Sequence, residues 1–204
     1  GVYYPDKTRV GWWKNGYPEY FAKVLNAPNW IGIDVLIDGE PLDLAKCKNV
    51  KNFRRELNMK EGWYRRNFEA TTANDIEIKV VATRFLSLSH DEMGAIHYEV
   101  TPLNTGAYIT FKPYLDAGIT NEDSNWDDKF WNTTQITSEK NRAFVESHTM
   151  KTHFNVCTFM QAHLVYGEHT KTTPDQVHKG ELTIGFEFSQ NVKKGEGVSL
   201  VKFG

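Results

Sequence analysis

A period of two in the apolar residues is what most limits how this chain can fold. Ile76, Ile78 and Val80 alternate with Glu77 and Lys79; Ile96, Tyr98 and Val100 alternate with His97 and Glu99; Leu182, Ile184, Phe186 and Phe188 alternate with Thr183, Gly185 and Glu187. Successive side chains of a strand point to opposite faces, so each segment reads as a half-buried strand with one wet face. The run over residues 33–37 ends in Asp38-Gly39, a hairpin dipeptide, and Leu42 and Leu44 resume beyond it. Strands are also expected over 108–111, 134–137, 143–146, 155–166 and 198–203. The 155–166 segment is apolar on both faces in places, which puts it between two layers. No stretch sustains a helical period, so the expected fold is all-β: one large antiparallel β-sandwich of more than ten strands, built as a single domain.

A chain of 204 residues can bury about 70% of the surface that its unfolded form exposes, enough for such a sandwich. Apolar residues at 40% and charged residues at 25% are ordinary globular values and argue against disorder. A net charge of -2 gives no electrostatic reason to expect nucleic acid or an anionic membrane as partner. No apolar run is long enough for a membrane-spanning helix. Cys47 and Cys157 stand far apart and form no CxxC pair, so two reduced, partly buried thiols are expected. The sequence opens at Gly1 without a methionine or a leader-like segment and reads as a fragment or processed form. Compartment stays open on this basis, the cytoplasm being favoured over the periplasm.

Two segments look like loops: 121–132, polar but holding Trp126 and Trp131, and 167–179, rich in threonine and histidine. Long loops on a rigid sheet are where binding concentrates. Asn121, Asp123, Asn125 and Asp127 alternate as in a calcium loop, but Trp126 stands where an EF-hand needs glycine and Asn132 where it needs glutamate. The histidines form no HExxH, and His148 with His153 lacks the helical spacing that would align two rings. Asp116 with Asp123, Asp127 or Asp128 could be proposed as a hydrolytic carboxylate pair, but clustered aspartates more often serve turns. No GxSxG, Walker A or GxGxxG motif is present. No catalytic residue, metal ligand or cofactor site is therefore assigned. Trp126 and Trp131 remain the better sugar-stacking candidates, since Trp12-Trp13 and Trp63-Tyr64 are adjacent pairs of which one member each belongs in a core.

The ordered set Tyr3-Tyr4-Pro5-Asp6, Pro18-Glu19-Tyr20-Phe21-Ala22-Lys23-Val24, Asn26-Ala27-Pro28-Asn29-Trp30, Gly39-Glu40-Pro41-Leu42-Asp43-Leu44, the 54–66 block with Leu57-Asn58-Met59 and Gly62-Trp63-Tyr64-Arg65-Arg66, Arg84-Phe85-Leu86-Ser87-Leu88, and Asp116-Ala117-Gly118-Ile119-Thr120-Asn121 spans nearly the whole chain. Together these motifs resemble the N-terminal domain of glycoside hydrolase family 65, which includes maltose, trehalose and kojibiose phosphorylases. Two positions depart from the family pattern: Asn58 stands where an aspartate is usual, and Ala117 separates Asp116 from Gly118.

The resemblance implies a galactose-mutarotase-like super-sandwich preceding an (α/α)6 barrel, with the general acid and the phosphate site in the barrel. Residues 1–204 would then be a non-catalytic N-terminal domain, inactive alone, of an inverting enzyme that cleaves an α-glucoside disaccharide of maltose, trehalose or kojibiose type. Inorganic phosphate would be a co-substrate if the parent is a phosphorylase. The domain would pack on its own barrel, contribute to a homodimer, and reach the active-site rim through 116–131, with Asp116, Asn121, Trp126 and Trp131 as contacts. The alternative is a free-standing carbohydrate-binding module; a third reading is a purely oligomerising domain. The 54–66 block, with its glycine and aromatics, suits a structural turn better than an active site.

Overall fold

The computed structural model describes residues 2–7, 12–121 and 129–204; of residues 12 and 13 the backbone alone is described. It is almost wholly strand, and among the described residues the helical element is a single short 3-10 turn, Trp12–Asn15. The strands in chain order are β1 (Val2–Lys7), β2 (Tyr20–Leu25), β3 (Ile33–Ile37), β4 (Glu40–Pro41), β5 (Asn49–Asn58), β6 (Trp63–Thr71), β7 (Glu77–Leu86) and β8 (Gly94–Pro102). They continue with β9 (Ala107–Asp116), β10 (Trp131–Glu139), β11 (Arg142–Thr149), β12 (Asn155–Tyr166), β13 (His169–Lys171), β14 (Gln176–Lys179), β15 (Thr183–Val192) and β16 (Val198–Phe203).

Every pairing between these strands is antiparallel. A nine-stranded sheet runs β10-β11-β12-β16-β8-β7-β6-β5, with β13 added beside β12. A five-stranded sheet, β14-β15-β9-β3-β4, covers part of its inner face, and β1 with β2 forms a separate hairpin. The alternating apolar residues meet between the two sheets: Phe68, Ile78, Val80, Val100, Val145, Met160 and Leu200 from the larger one pack on Val35, Ile109, Phe111, Leu115, Phe186 and Phe188 from the smaller. A second, small core of Tyr4, Leu25, Phe130 and Trp131 holds the β1–β2 hairpin against the start of β10.

The antiparallel super-sandwich agrees with the reading of the sequence. The expectation that 155–166 lies between two layers is corrected: β12 is interior to the large sheet, but Met160, Ala162 and Leu164 face the core, while Cys157 and Phe159 on its other face are exposed, so the apolar residues there are not a second buried face. Asp38 and Gly39 both take positive φ, 48° and 86°, as the expected β3–β4 turn demands. The 167–179 segment is a correction. It was expected to be a loop, but it supplies β13 and the edge strand β14, which is exposed along its whole length and so carries no apolar alternation. Cys157 also differs from expectation, being exposed, whereas Cys47 is half-buried with its Sγ 3.4 Å from the Asp43 carbonyl.

Candidate functional site

The 116–131 connection joins β9 to β10. At its start the Asp116 carboxylate accepts the Gly118 N–H at 2.8 Å, an Asx turn that spans the buried Ala117. Asn29 pairs with Asp116 through both backbone groups, at 2.7 and 3.0 Å. Asn121 is buried; its Oδ1 accepts the Asn26 N–H at 3.0 Å and its Nδ2 donates to the Val24 carbonyl at 2.9 Å. Trp131 is buried in the small core, and its indole N–H donates to the Asn26 carbonyl at 2.8 Å. Asn121 and Trp131 thus converge on one stretch of backbone, 24–26, and fasten both ends of the connection to the hairpin. Beside them Lys23 and Asp6 form a buried ion pair at 3.1 Å, with the Lys23 ammonium 5.2 Å from the Phe130 ring centre. Trp126, Asp123, Asn125, Asp127 and Asp128 lie outside the described residues.

A different surface emerges at the far end of the large sheet. Cross-strand register places Phe68, Arg66 and Tyr64 of β6 on the inner face, opposite Val80, Ala82 and Arg84 of β7, with Arg55 and Leu57 of β5 opposite Arg66 and Tyr64. The five-stranded sheet covers Phe68 and Val80 and packs along Ala82, whereas Tyr64, Arg66 and Arg84 lie at its margin, beside Ile33 of β3. This margin forms a cavity of about 380 Å³ floored by Arg55, Arg66, Arg84 and Tyr98. An apolar concavity of about 610 Å³ adjoins it, lined by Trp30, Leu57, Met59, Trp63, Leu86 and Leu88. Burial raises the pKa of the Tyr98 hydroxyl, and the neighbouring Arg66 guanidinium partly offsets this.

The 54–66 block builds this surface. It is two long strands joined by a tight turn at 58–62: the Asn58 Oδ1 accepts the N–H groups of Lys60 and Glu61 at 3.1 and 3.0 Å, and Gly62, at φ 72°, donates to the Asn58 carbonyl at 2.8 Å. Asn58 Nδ2 also donates to Glu61 Oε2 at 3.0 Å, a bond that an aspartate in its place could not make. Trp63 Nε1 donates to the same oxygen at 2.6 Å, so the turn also orients the indole.

Lys202 marks the boundary between covered and uncovered face. Its side chain is fully buried without a carboxylate partner among the described residues, and Nζ donates to the carbonyls of Gly32 at 2.9 Å and Tyr114 at 2.8 Å. Burial lowers its pKa to about 7.

The β11–β12 hairpin brings His148 and His153 within 6.0 Å, ring centre to ring centre, with Asn132 Nδ2 3.4 Å from His148 Nε2. A spacing that would separate the two rings on a helix brings them side by side at a hairpin. A wide groove at the opposite end of the molecule is lined by Asp38, Tyr108, Tyr166 and Glu196, and there the Tyr166 hydroxyl is already bonded to Glu196.

Comparison with known proteins adds an independent line. The chain is 39% identical over 203 residues to a maltose phosphorylase of Bacillus subtilis, covering 100% of this chain and 26% of that protein. It is 27% identical to an α,α-trehalose phosphorylase of Thermoanaerobacter brockii over 92% of this chain and 26% of the relative. A solved structure described as a candidate kojibiose phosphorylase from the human microbiome superposes with a TM-score of 0.78 at 19% identity, over 91% of this chain and 23% of that one, which shows a shared fold. The chain therefore spans about a quarter of the length of these relatives. The family model described as glycosyl hydrolase family 65, N-terminal domain, matches residues 1–204. This chain belongs to that family of N-terminal domains.

Proposed function

We propose that residues 1–204 are the non-catalytic N-terminal sandwich of an inverting α-glucoside phosphorylase or hydrolase, with maltose, trehalose or kojibiose as the class of substrate. The observation that carries this reading is the match to maltose phosphorylase, which covers 100% of this chain but only 26% of the relative. In such a reaction an acid protonates the leaving glycosidic oxygen while phosphate or water attacks from the opposite face. Those groups belong to a barrel lying outside this sequence, and the sandwich supports it. The proposed further roles are a share in a homodimer surface and a contribution to the active-site rim from 116–131. For the rim, the bonding of Asn121 and Trp131 favours an anchoring part, so that what they present is the connection between them.

The test is turnover. A longer polypeptide containing this domain should cleave one of the three disaccharides, releasing glucosyl phosphate if phosphate is the acceptor and glucose if water is, and residues 1–204 alone should cleave none. If instead residues 1–204 form the whole protein, and their tryptophan fluorescence shifts on titration with these sugars, the chain is a free-standing carbohydrate-binding module.

A further inference from the structure

Arg55 and Arg66 are directly opposed across β5 and β6, and Arg84 lies one strand further on in the same cavity. Like charges in directly opposed positions are destabilising. Among the described residues none of the three has a carboxylate partner, whereas Arg54, on the other face, pairs with Glu56 at 3.0 Å. Arg55, Arg66 and Arg84 instead lie against the rings of Phe53, Phe68 and Tyr64, at 5.2, 5.7 and 4.7 Å. The guanidinium planes are thus held against aromatic rings; Arg66 also bonds the Tyr98 hydroxyl, while Arg55 and Arg84 have no hydrogen-bond partner among the described residues, so the group retains N–H donors for an acceptor with planar, bidentate geometry.

Leu57, Met59, Leu86 and Leu88, exposed at 66, 86, 66 and 94%, project around this cationic floor. Contiguous apolar surface of this kind marks an interaction site. An occupant that satisfies both parts must be amphipathic and acidic. Gly204 pairs with Gly94 through both backbone groups, at 2.7 and 3.0 Å, and Gly94 is the register partner of Leu86. In a longer polypeptide the residues after Gly204 therefore emerge beside this surface.

We propose that the uncovered inner face is a docking surface for a carboxylate-bearing amphipathic segment of the same polypeptide beyond Gly204, with a carboxylate seated between Arg55 and Arg66 and apolar side chains on Leu57, Met59 and Leu86. This rests on the reading of residues 1–204 as the first part of a longer enzyme. Removing either arginine leaves the incoming carboxylate desolvated without its full set of donors, so the interaction is cooperative in the pair.

The experiment is methionine oxidation by dilute peroxide on the full-length enzyme, followed by peptide mass spectrometry. In residues 1–204 taken alone Met59 is 86% exposed and Met150, in the β11–β12 turn, is 44% exposed. The expected result reverses that order, with Met59 oxidising several-fold more slowly than Met150. In the Arg55→Gln/Arg66→Gln variant Met59 should regain the faster rate, while Arg54→Gln leaves the order reversed; an unchanged Met150 rate reports that the fold is intact. The proposal is overturned if Met59 oxidises faster than Met150 in wild-type enzyme, or if the double variant leaves its protection in place. Protection that disappears on dilution identifies a second copy as the occupant, and protection that requires added inorganic phosphate identifies a free anion; either outcome also overturns it. Turnover of the disaccharides is measured on the same samples: an active enzyme with reactive Met59 refutes the docking alone, and a polypeptide that turns over none of them refutes the family-based reading whatever the Met59 rate.

Discussion

Phe68 and Arg66 stand two residues apart on the same face of β6, yet they live in different environments. Phe68 is buried between two sheets in the company of Val80 and Ile78, while Arg66 is half-buried at the margin of the five-stranded sheet, where a cavity opens. Along β7 the same change runs from Val80 to Arg84. Period-two alternation persists across the boundary, but the residue type switches from aliphatic to cationic and aromatic. The inner face is thus one continuous surface in two environments: a dry core, and a margin lined by arginine and tyrosine.

Mutations on the two halves should separate accordingly. The largest effect is expected for Phe68→Ala, which should cost about 3–5 kcal/mol in urea unfolding of residues 1–204. Tyr64→Ala, four residues back on the same face, should cost less than about 1 kcal/mol in the same measurement, since it lies at the margin of the second sheet.

The boundary itself should be pH-sensitive. Lys202 has its folded pKa lowered to about 7 by burial. Between that value and its ordinary one near 10.5, the unfolded chain holds a proton that the folded chain does not, so this group makes stability rise with pH across that window and stay level below it. Unfolding of wild type and Lys202→Met compared at pH 7 and pH 10 should show the wild type gaining a few kcal/mol more than the variant, other titrations cancelling in the difference.

A smaller cost is expected where Trp30 closes the core. A Cβ on Gly94 would stand 2.5 Å from its ring, so Gly94→Ala should destabilise by about 1–3 kcal/mol and shift the indole fluorescence. The smallest effect has the opposite sign. In residues 1–204 alone, Arg55→Gln should stabilise by about 0.2–1 kcal/mol at low salt by relieving the opposed charge on Arg66, with the gain fading as salt is added.

The sequence carried the covered half well and the uncovered half poorly, for physical reasons. Wherever burial is two-sided or half-sided, apolar alternation records it, and β7 to β9, β12, β15 and β16 follow that record closely, whereas β6, with Arg66 on its inner face, does not. Strands β13 and β14 left no such trace because β14 is wholly exposed and β13 is a short addition to β12. The β1–β2 hairpin was missed because Pro5 interrupts β1 and most of β2 faces outward. Trp131 read as a loop aromatic, since its neighbours in sequence are polar; its partners, Tyr4 and Leu25, come from the other end of the chain. The arginine cluster is invisible for the same reason: Arg55, Arg66 and Arg84 become neighbours only once register is set. Asn58 and Gly62 signalled the turn at 58–62, but not the surface that the turn supports.

The irregularity in β5 has a consequence for solubility. β5 is an edge of the nine-stranded sheet, and an unbroken edge offers a row of backbone donors and acceptors to any other strand. Between Lys51 and Arg54 its register slips, with Asn52 at φ 56°, so that row is interrupted midway. Lys51, Arg54 and Arg55 add charge on both sides of the break. An incoming strand from another molecule would find only short, kinked and positively charged stretches to pair with, which protects the chain from edge-to-edge aggregation at the border that also carries its stickiest apolar side chains.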